Sequence, residues 1–144
     1  MITALDHIAI AVPDLEKAIQ RFVTDFGLPL GGREDVKEAK TTAAFLPLPP
    51  TNIELVYPLN GEGPVATYLE KKGGGLHHLC FRSDDIDADV ARLRDKGYQF
   101  LADAVRPREK VGMGGPSLSY GPLKQCQIVF MSNKEGHVSG LKRL

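Results

Sequence analysis

The 144-residue sequence carries no net charge, with 18 Lys and Arg against 18 Asp and Glu. Without a basic cluster, it lacks the concentrated cationic surface that nucleic-acid phosphates require, so no nucleic-acid partner is expected. No apolar run approaches the roughly 18 residues that mark a transmembrane helix. The opening Met1-Ile2-Thr3-Ala4-Leu5-Asp6-His7 lacks the basic, then apolar, then small-residue order of a secretion signal, and a cytoplasmic setting is expected. Cysteine is scarce: Cys80 and Cys126 stand alone with no CxxC pair, which argues against a disulfide framework or a thiolate zinc site. Cys80 lies in an apolar run and reads as a small core residue. What remains is a chain with 42% hydrophobic and 25% charged residues, apolar enough for one compact domain or two packed half-domains. Its expected partner is a small molecule.

The organising feature is an internal repeat. At a shift of 71 positions His7 meets His78, Ile8 meets Leu79, Ile10 meets Phe81, Asp14 meets Asp85 and Leu15 meets Ile86. The register continues with Ile19 on Val90 and Phe22 on Leu93. After one deletion, Asp25-Phe26-Gly27 meets Asp95-Lys96-Gly97. Each copy opens with alternation, which puts His7, Ala9 and Ala11 on one strand face and Ile8, Ile10 and Val12 on the other. The bulky face is expected to pack on a helix. Asp14 and Asp85 are placed to cap helices on which Leu15, Ile19, Phe22 and Phe26, or Ile86, Val90 and Leu93, recur at helical spacing, with Gly27 and Gly97 as stops.

Strand-like runs follow around Arg33 to Glu38, Thr41 to Leu48 and Asn52 to Val56, so each copy reads as βαβββ. Between the copies, Pro64 to Lys72 followed by Gly73-Gly74-Gly75 predicts a helical connector. In the second copy, Arg106 to Gln127 is rich in Gly and Pro and reads as a long loop. Runs at Gln127 to Met131 and His137 to Leu141, with a turn at Glu135-Gly136, supply the last strands. The expected architecture is α+β: two tandem βαβββ modules forming a curved, barrel-like mixed sheet around a central site. Module 1 covers about residues 1–60, the connector about 61–73 and module 2 about 74–144, all within one domain.

A lone strand histidine is more often structural than a ligand, but two at equivalent positions of related units are different. His7 and His78 each share a face with small residues, and such a pair suits a divalent transition metal. His77 has the opposite parity and is expected to play a supporting or surface role. Glu54, inside Ile53-Glu54-Leu55-Val56, has two readings: a solvent-facing strand residue, or an inward carboxylate whose burial a metal would compensate. The acids Asp84, Asp85, Asp87 and Asp89 read as solvated groups at a helix start. The glycines of Val111 to Pro116 match no phosphate-binding loop.

Leu5 to Val12, Ile53-Glu54-Leu55 with Pro58-Leu59, and Gly75-Leu76-His77-His78-Leu79 with Asp84-Asp85-Ile86 resemble the methylmalonyl-CoA epimerase family of the vicinal oxygen chelate superfamily. Glyoxalase I, extradiol dioxygenases and bleomycin-resistance proteins share that superfamily. The match is dense from about Leu5 to Asp103; farther on, only Asn133 to His137 is familiar. The resemblance implies one divalent metal ion held by His7, Glu54 and His78, with cobalt, nickel, manganese, zinc and iron all compatible. It also implies an acyl-CoA substrate from which a base removes a proton next to the thioester, an acid returning one to the opposite face. A homodimer is expected.

The family's fourth ligand, a last-strand glutamate, falls on Gly140, and a further acid of some members falls on Ala43. Glu38, one strand slip from Ala43, is the candidate catalytic base. Three functions therefore compete: an acyl-CoA epimerase, a glyoxalase I-like or dioxygenase-like enzyme, and a non-catalytic small-molecule-binding or resistance protein, which the gaps at Gly140 and Ala43 favour.

Overall fold

The computed structural model describes Met1–Tyr98 in full and the backbone of Phe100–Ala102, Cys126–Ser132 and Val138–Arg143. The chain divides into two units. The first is His7–His77; the second joins Met1–Asp6 to the described residues from His78 onward. Strand β1 (Ile2–Ala11) thus contributes to both.

In the first unit β1 leads to α1 (Leu15–Thr24), β2 (Gly32–Val36), β3 (Thr41–Leu48) and β4 (Thr51–Pro58). The β1 segment pairs in parallel with β4, β4 is antiparallel to β3, and β3 is antiparallel to β2. The parallel pairing of the first and last strands needs a crossover, which α1 and the β2–β3 hairpin provide. Asp14 caps α1 by accepting the Lys17 backbone N–H at 3.0 Å. The bulky face behaves as its alternation predicts: Ile10, Val12, Ile53, Leu55, Ala44 and Leu46 pack against Leu15, Ile19 and Phe22 of α1. Phe26 departs from the expected stripe. Helix α1 ends at Thr24, so Phe26 lies beyond the last turn, 65% exposed and edge-on to Phe22.

The run expected to be strand up to Glu38 stops at Val36, and Lys37–Ala39 form a single 3₁₀ turn. Lys40 closes it in the left-handed region at φ 50°, its N–H donated to the Lys37 carbonyl at 3.1 Å. This lets the chain reverse into β3. The connector forms α2 (Pro64–Lys72), and the Gly73 N–H donated to the Leu69 carbonyl at 2.7 Å ends it where the glycine run begins. Its Val65, Tyr68 and Leu69 pack with Ala9, Ala11, Ala43 and Val56 on the small-residue face.

The second unit repeats the element order with β5 (Gly75–Ser83), α3 (Ile86–Asp95), β6 (Phe100–Ala102), β7 (Cys126–Ser132) and β8 (Val138–Arg143). Asp85 caps α3 through the Ala88 N–H at 3.0 Å, as Asp14 does for α1. Gly27 and Gly97 follow their helices at φ +70° and +86°, a region that a Cβ disfavours.

Strand pairing, however, does not follow the repeat. Here β5 is antiparallel to β7, β7 is antiparallel to β8, and β8 is parallel to β6. The place beside the opening strand, taken by β4 in the first unit, goes to β7 rather than β8. Composition agrees with that place: Ile128-Val129-Phe130-Met131 is a continuous apolar run, whereas β8, itself flanked by β7 and β6, holds Ser139, Gly140, Lys142 and Arg143. Gly140, on β8, therefore does not take the place beside the opening strand that Glu54 takes in the first unit. The Gly- and Pro-rich loop, the Glu135-Gly136 turn and His137 lie outside the described residues.

Asp89 corrects another expectation. It falls in the stripe Ile86, Asp89, Val90, Leu93 of α3 and is 1% exposed rather than solvated. Ser83 Oγ and Arg92 Nη2 donate to its carboxylate at 2.7 and 2.8 Å, and the Met1 amine stands 3.4 Å away. Burial pushes the Asp89 carboxyl up, but the hydrogen bonds from Arg92, Ser83 and the amine outweigh it and hold the group below its ordinary value. Asp84 pairs with the same amine. Cys80 is fully buried, as an apolar-run cysteine should be. Among the described residues no helix is long and apolar enough to cross a membrane.

Candidate metal centre

The small-residue face of the first unit carries the chemistry. The β1·β4 register pairs His7 with Asn52 and Ala9 with Glu54, so His7, Ala9, Asn52 and Glu54 share one face. Of the two readings open for Glu54, the inward one holds: its side chain is 12% exposed, and its Oε2 lies 3.2 Å from His7 Nε2. The imidazole reaches diagonally past Ala9, whose methyl leaves the way clear. A larger residue at Ala9, itself fully buried, would stand between them.

The contact distance fits two ligands of one ion. With metal–ligand bonds of about 2.1 Å, two donor atoms stand about 3.0 Å apart at a right angle and about 3.4 Å apart at the tetrahedral angle. An imidazole nitrogen beside a carboxylate oxygen is also a donor set for divalent transition metals. Without an ion, the same geometry is a hydrogen bond donated by His7 Nε2 to the Glu54 carboxylate.

His78 lies on β5 in the second unit and is half-buried, on the same strand face as the fully buried Cys80. His77 turns to the other face, as its parity predicts. Its ring meets Tyr68 of α2 edge-on at 5.0 Å and 80°, and burial lowers its pKa, favouring the neutral imidazole. Tyr68 is itself held by its hydroxyl, donated to the Leu76 carbonyl at 2.6 Å. His77 therefore sits as a packing partner of the connector rather than on the surface.

Glu38 is exposed on the 3₁₀ turn, not on a strand. The β2·β3 ladder runs in regular register from Gly32↔Phe45 to Val36↔Thr41, so no strand slip brings it beside Ala43. Its turn is nonetheless anchored, because Lys40 pairs with Glu62 at 2.7 Å and the Lys40 carbonyl accepts the Leu59 N–H at 2.9 Å. Ala43 is fully buried opposite Val56 and supplies no acid.

Two features escape sequence reading. Asp6, beside His7, is buried and accepts from Arg82 Nε at 2.6 Å; the partner is 76 positions away and nothing local marks it. Phe45 stands directly opposite Glu54 in the β3·β4 ladder, a placement set by hairpin register alone.

Comparison with known proteins places the chain in a family by sequence and fold. Residues 6–114 match the model of the Glyoxalase/Bleomycin resistance protein/Dioxygenase superfamily. An ethylmalonyl-CoA/methylmalonyl-CoA epimerase of Cereibacter sphaeroides is 40% identical over 116 residues, spanning 80% of this chain and 84% of the relative. The human mitochondrial methylmalonyl-CoA epimerase is 36% identical over 123 residues, 85% of this chain and 68% of its own. A solved Streptomyces coelicolor methylmalonyl-CoA epimerase in complex with 2-nitronate-propionyl-CoA superposes with a TM-score of 0.77 at 29% identity, covering 100% of this chain and 96% of that one. With a matching fold, a family model spanning most of its length and relatives at this identity, the chain belongs to the glyoxalase/bleomycin resistance/dioxygenase superfamily, as a methylmalonyl-CoA epimerase-like member with the vicinal oxygen chelate fold.

Proposed function

We propose that this protein is a metal-dependent epimerase of a small acyl-CoA, acting on the carbon between a thioester and a carboxylate. The observation that carries the reading is the largely buried His7–Glu54 pair, 3.2 Å apart on the sheet face that also carries Ala9. The epimerase names of the Cereibacter and human relatives supply the substrate class. A divalent ion bound by His7 and Glu54, with His78 as third protein ligand, would supply the Lewis acidity that makes the carbon-bound proton removable near neutral pH.

The chain's own residues do the rest. His7 and Glu54 are fixed by a regular parallel ladder, so the donor atoms need little rearrangement to bind. Ala9, Ala11 and Ala43 are covered by Val65, Tyr68 and Leu69 of α2, which packs that end of the sheet face. Glu38 is the base in this proposal. Glu38 takes the proton from one face, on a turn tied down by the Lys40–Glu62 pair, and inversion requires a separate acid to deliver a proton to the opposite face. The same reading includes a homodimer in the cytoplasm, which sedimentation of the pure protein and cell fractionation check.

Proton exchange is the direct test. Methylmalonyl-CoA in heavy water is expected to take up deuterium at the α-carbon with the metal-loaded protein, to stop doing so with a chelator, and to resume when metal is returned. Metal-loaded protein that gives no exchange would reject the reading. Glu38→Gln is expected to lower the exchange rate by about 10²–10⁴-fold, the range of a general base, while leaving metal content unchanged. An unaltered rate in that variant removes Glu38 from the chemistry.

A further inference from the structure

The surroundings of Glu54 on its sheet face are uneven. Ala9 flanks it from β1 and Phe45 stands directly opposite it on β3. Side chains so paired share a face, with Cβ atoms about 4.5–5.5 Å apart. The Phe45 ring is therefore a neighbour of the Glu54 carboxylate, on the side away from β1 and His7. It is half-buried and seated against the Ala9, Ala11, Ala43, Val56 and Val65 cluster, so its position is fixed by packing. Among the residues bordering Glu54 on this face it is the largest apolar side chain.

One strand further out, the residue opposite Phe45 is Gly32. A Cβ added there would meet nothing within 4 Å. An aromatic wall beside the carboxylate, with open space behind it, is the arrangement of a size filter. A fixed ring stops a group extending from the metal-bound end of a ligand, and the gap at Gly32 offers that group somewhere to go if the ring is shortened.

We propose that Phe45 sets the upper size of the α-substituent on an acyl-CoA bound at the Glu54 carboxylate. Gly32 leaves the space that a longer alkyl group would enter. The inference rests on the acyl-CoA reading above and deepens it by naming the residue that limits the α-substituent.

The experiment compares kcat/KM for α-proton exchange on methylmalonyl-CoA and butylmalonyl-CoA in the metal-loaded wild type, Phe45→Leu and Phe45→Ala. A single methylene in an apolar pocket changes discrimination by about 10–200-fold. The ratio of butylmalonyl to methylmalonyl kcat/KM is expected to rise by about tenfold or more in Phe45→Ala, and by less in Phe45→Leu. If the alanine variant does not fold, the leucine variant decides the matter by the same sign. Wild-type exchange on methylmalonyl-CoA with an unchanged ratio in the folded variants overturns this inference alone. Metal-loaded wild type inert towards both thioesters overturns the acyl-CoA reading and this inference with it.

Discussion

Replacing His7 with alanine is expected to abolish stoichiometric metal binding and to lower metal-dependent proton exchange by more than about 10²-fold. Changing a residue that merely orients a ligand costs about 10–100-fold in affinity or activity, and removing a ligand costs more. His7 is 4% exposed, and its Nε2 meets the Glu54 carboxylate directly. Glu54→Ala is expected to act in the same direction. His77→Ala is the control: its ring leans on Tyr68, and losing that edge-to-face contact costs about 1 kcal/mol of stability while metal content stays. Elemental analysis of the purified variants, with thermal unfolding alongside, reads both effects. Equal metal loss in the His77 and His7 variants would overturn the assignment of opposite roles to the two strand faces.

The other large effect concerns the fold. Asp89→Ala is expected to destabilise the protein by about 2 kcal/mol, because it leaves the buried Ser83 hydroxyl without its acceptor and removes the charge-assisted hydrogen bond from the half-exposed Arg92. For a chain of this size that lowers Tm by roughly 4–8 °C. The pH dependence follows from the direction of the Asp89 shift. Its carboxyl is held below the ordinary value of 3.8, so the native state binds its proton less readily than the unfolded chain does. The contribution is complete above the unfolded value and is lost as pH falls through the lower folded value. The stability difference between wild type and Asp89→Ala is therefore largest at neutral pH and narrows below about pH 4. Urea unfolding at pH 7 and pH 3 checks both points; a variant as stable as wild type at pH 7 would show that the network contributes nothing.

The elements as far as α3 were legible because their signals are local. The alternation from His7 to Val12, the caps at Asp14 and Asp85, and Pro64 with Gly73 around the connector each depend on residues within a few positions, and the structure places them as the spacing predicts. The inward turn of Glu54 was half-legible. Alternation gave its strand parity, but only the pairing of Ala9 with Glu54 decides which face meets His7.

What the sequence by itself determined is the βαβββ element order, the helix ends, and the face that each alternating residue takes, since these follow from backbone periodicity and short-range hydrogen bonds. Only the tertiary structure decided which strands become neighbours. It set β7 rather than β8 beside β5, put Phe45 opposite Glu54, joined Asp6 to Arg82, and drew Asp89 into the interior with Arg92 and Ser83. Those outcomes depend on competition among distant segments for the same burial and the same hydrogen bonds, and a repeat in sequence does not fix the result when one candidate strand is continuously apolar and the other is not.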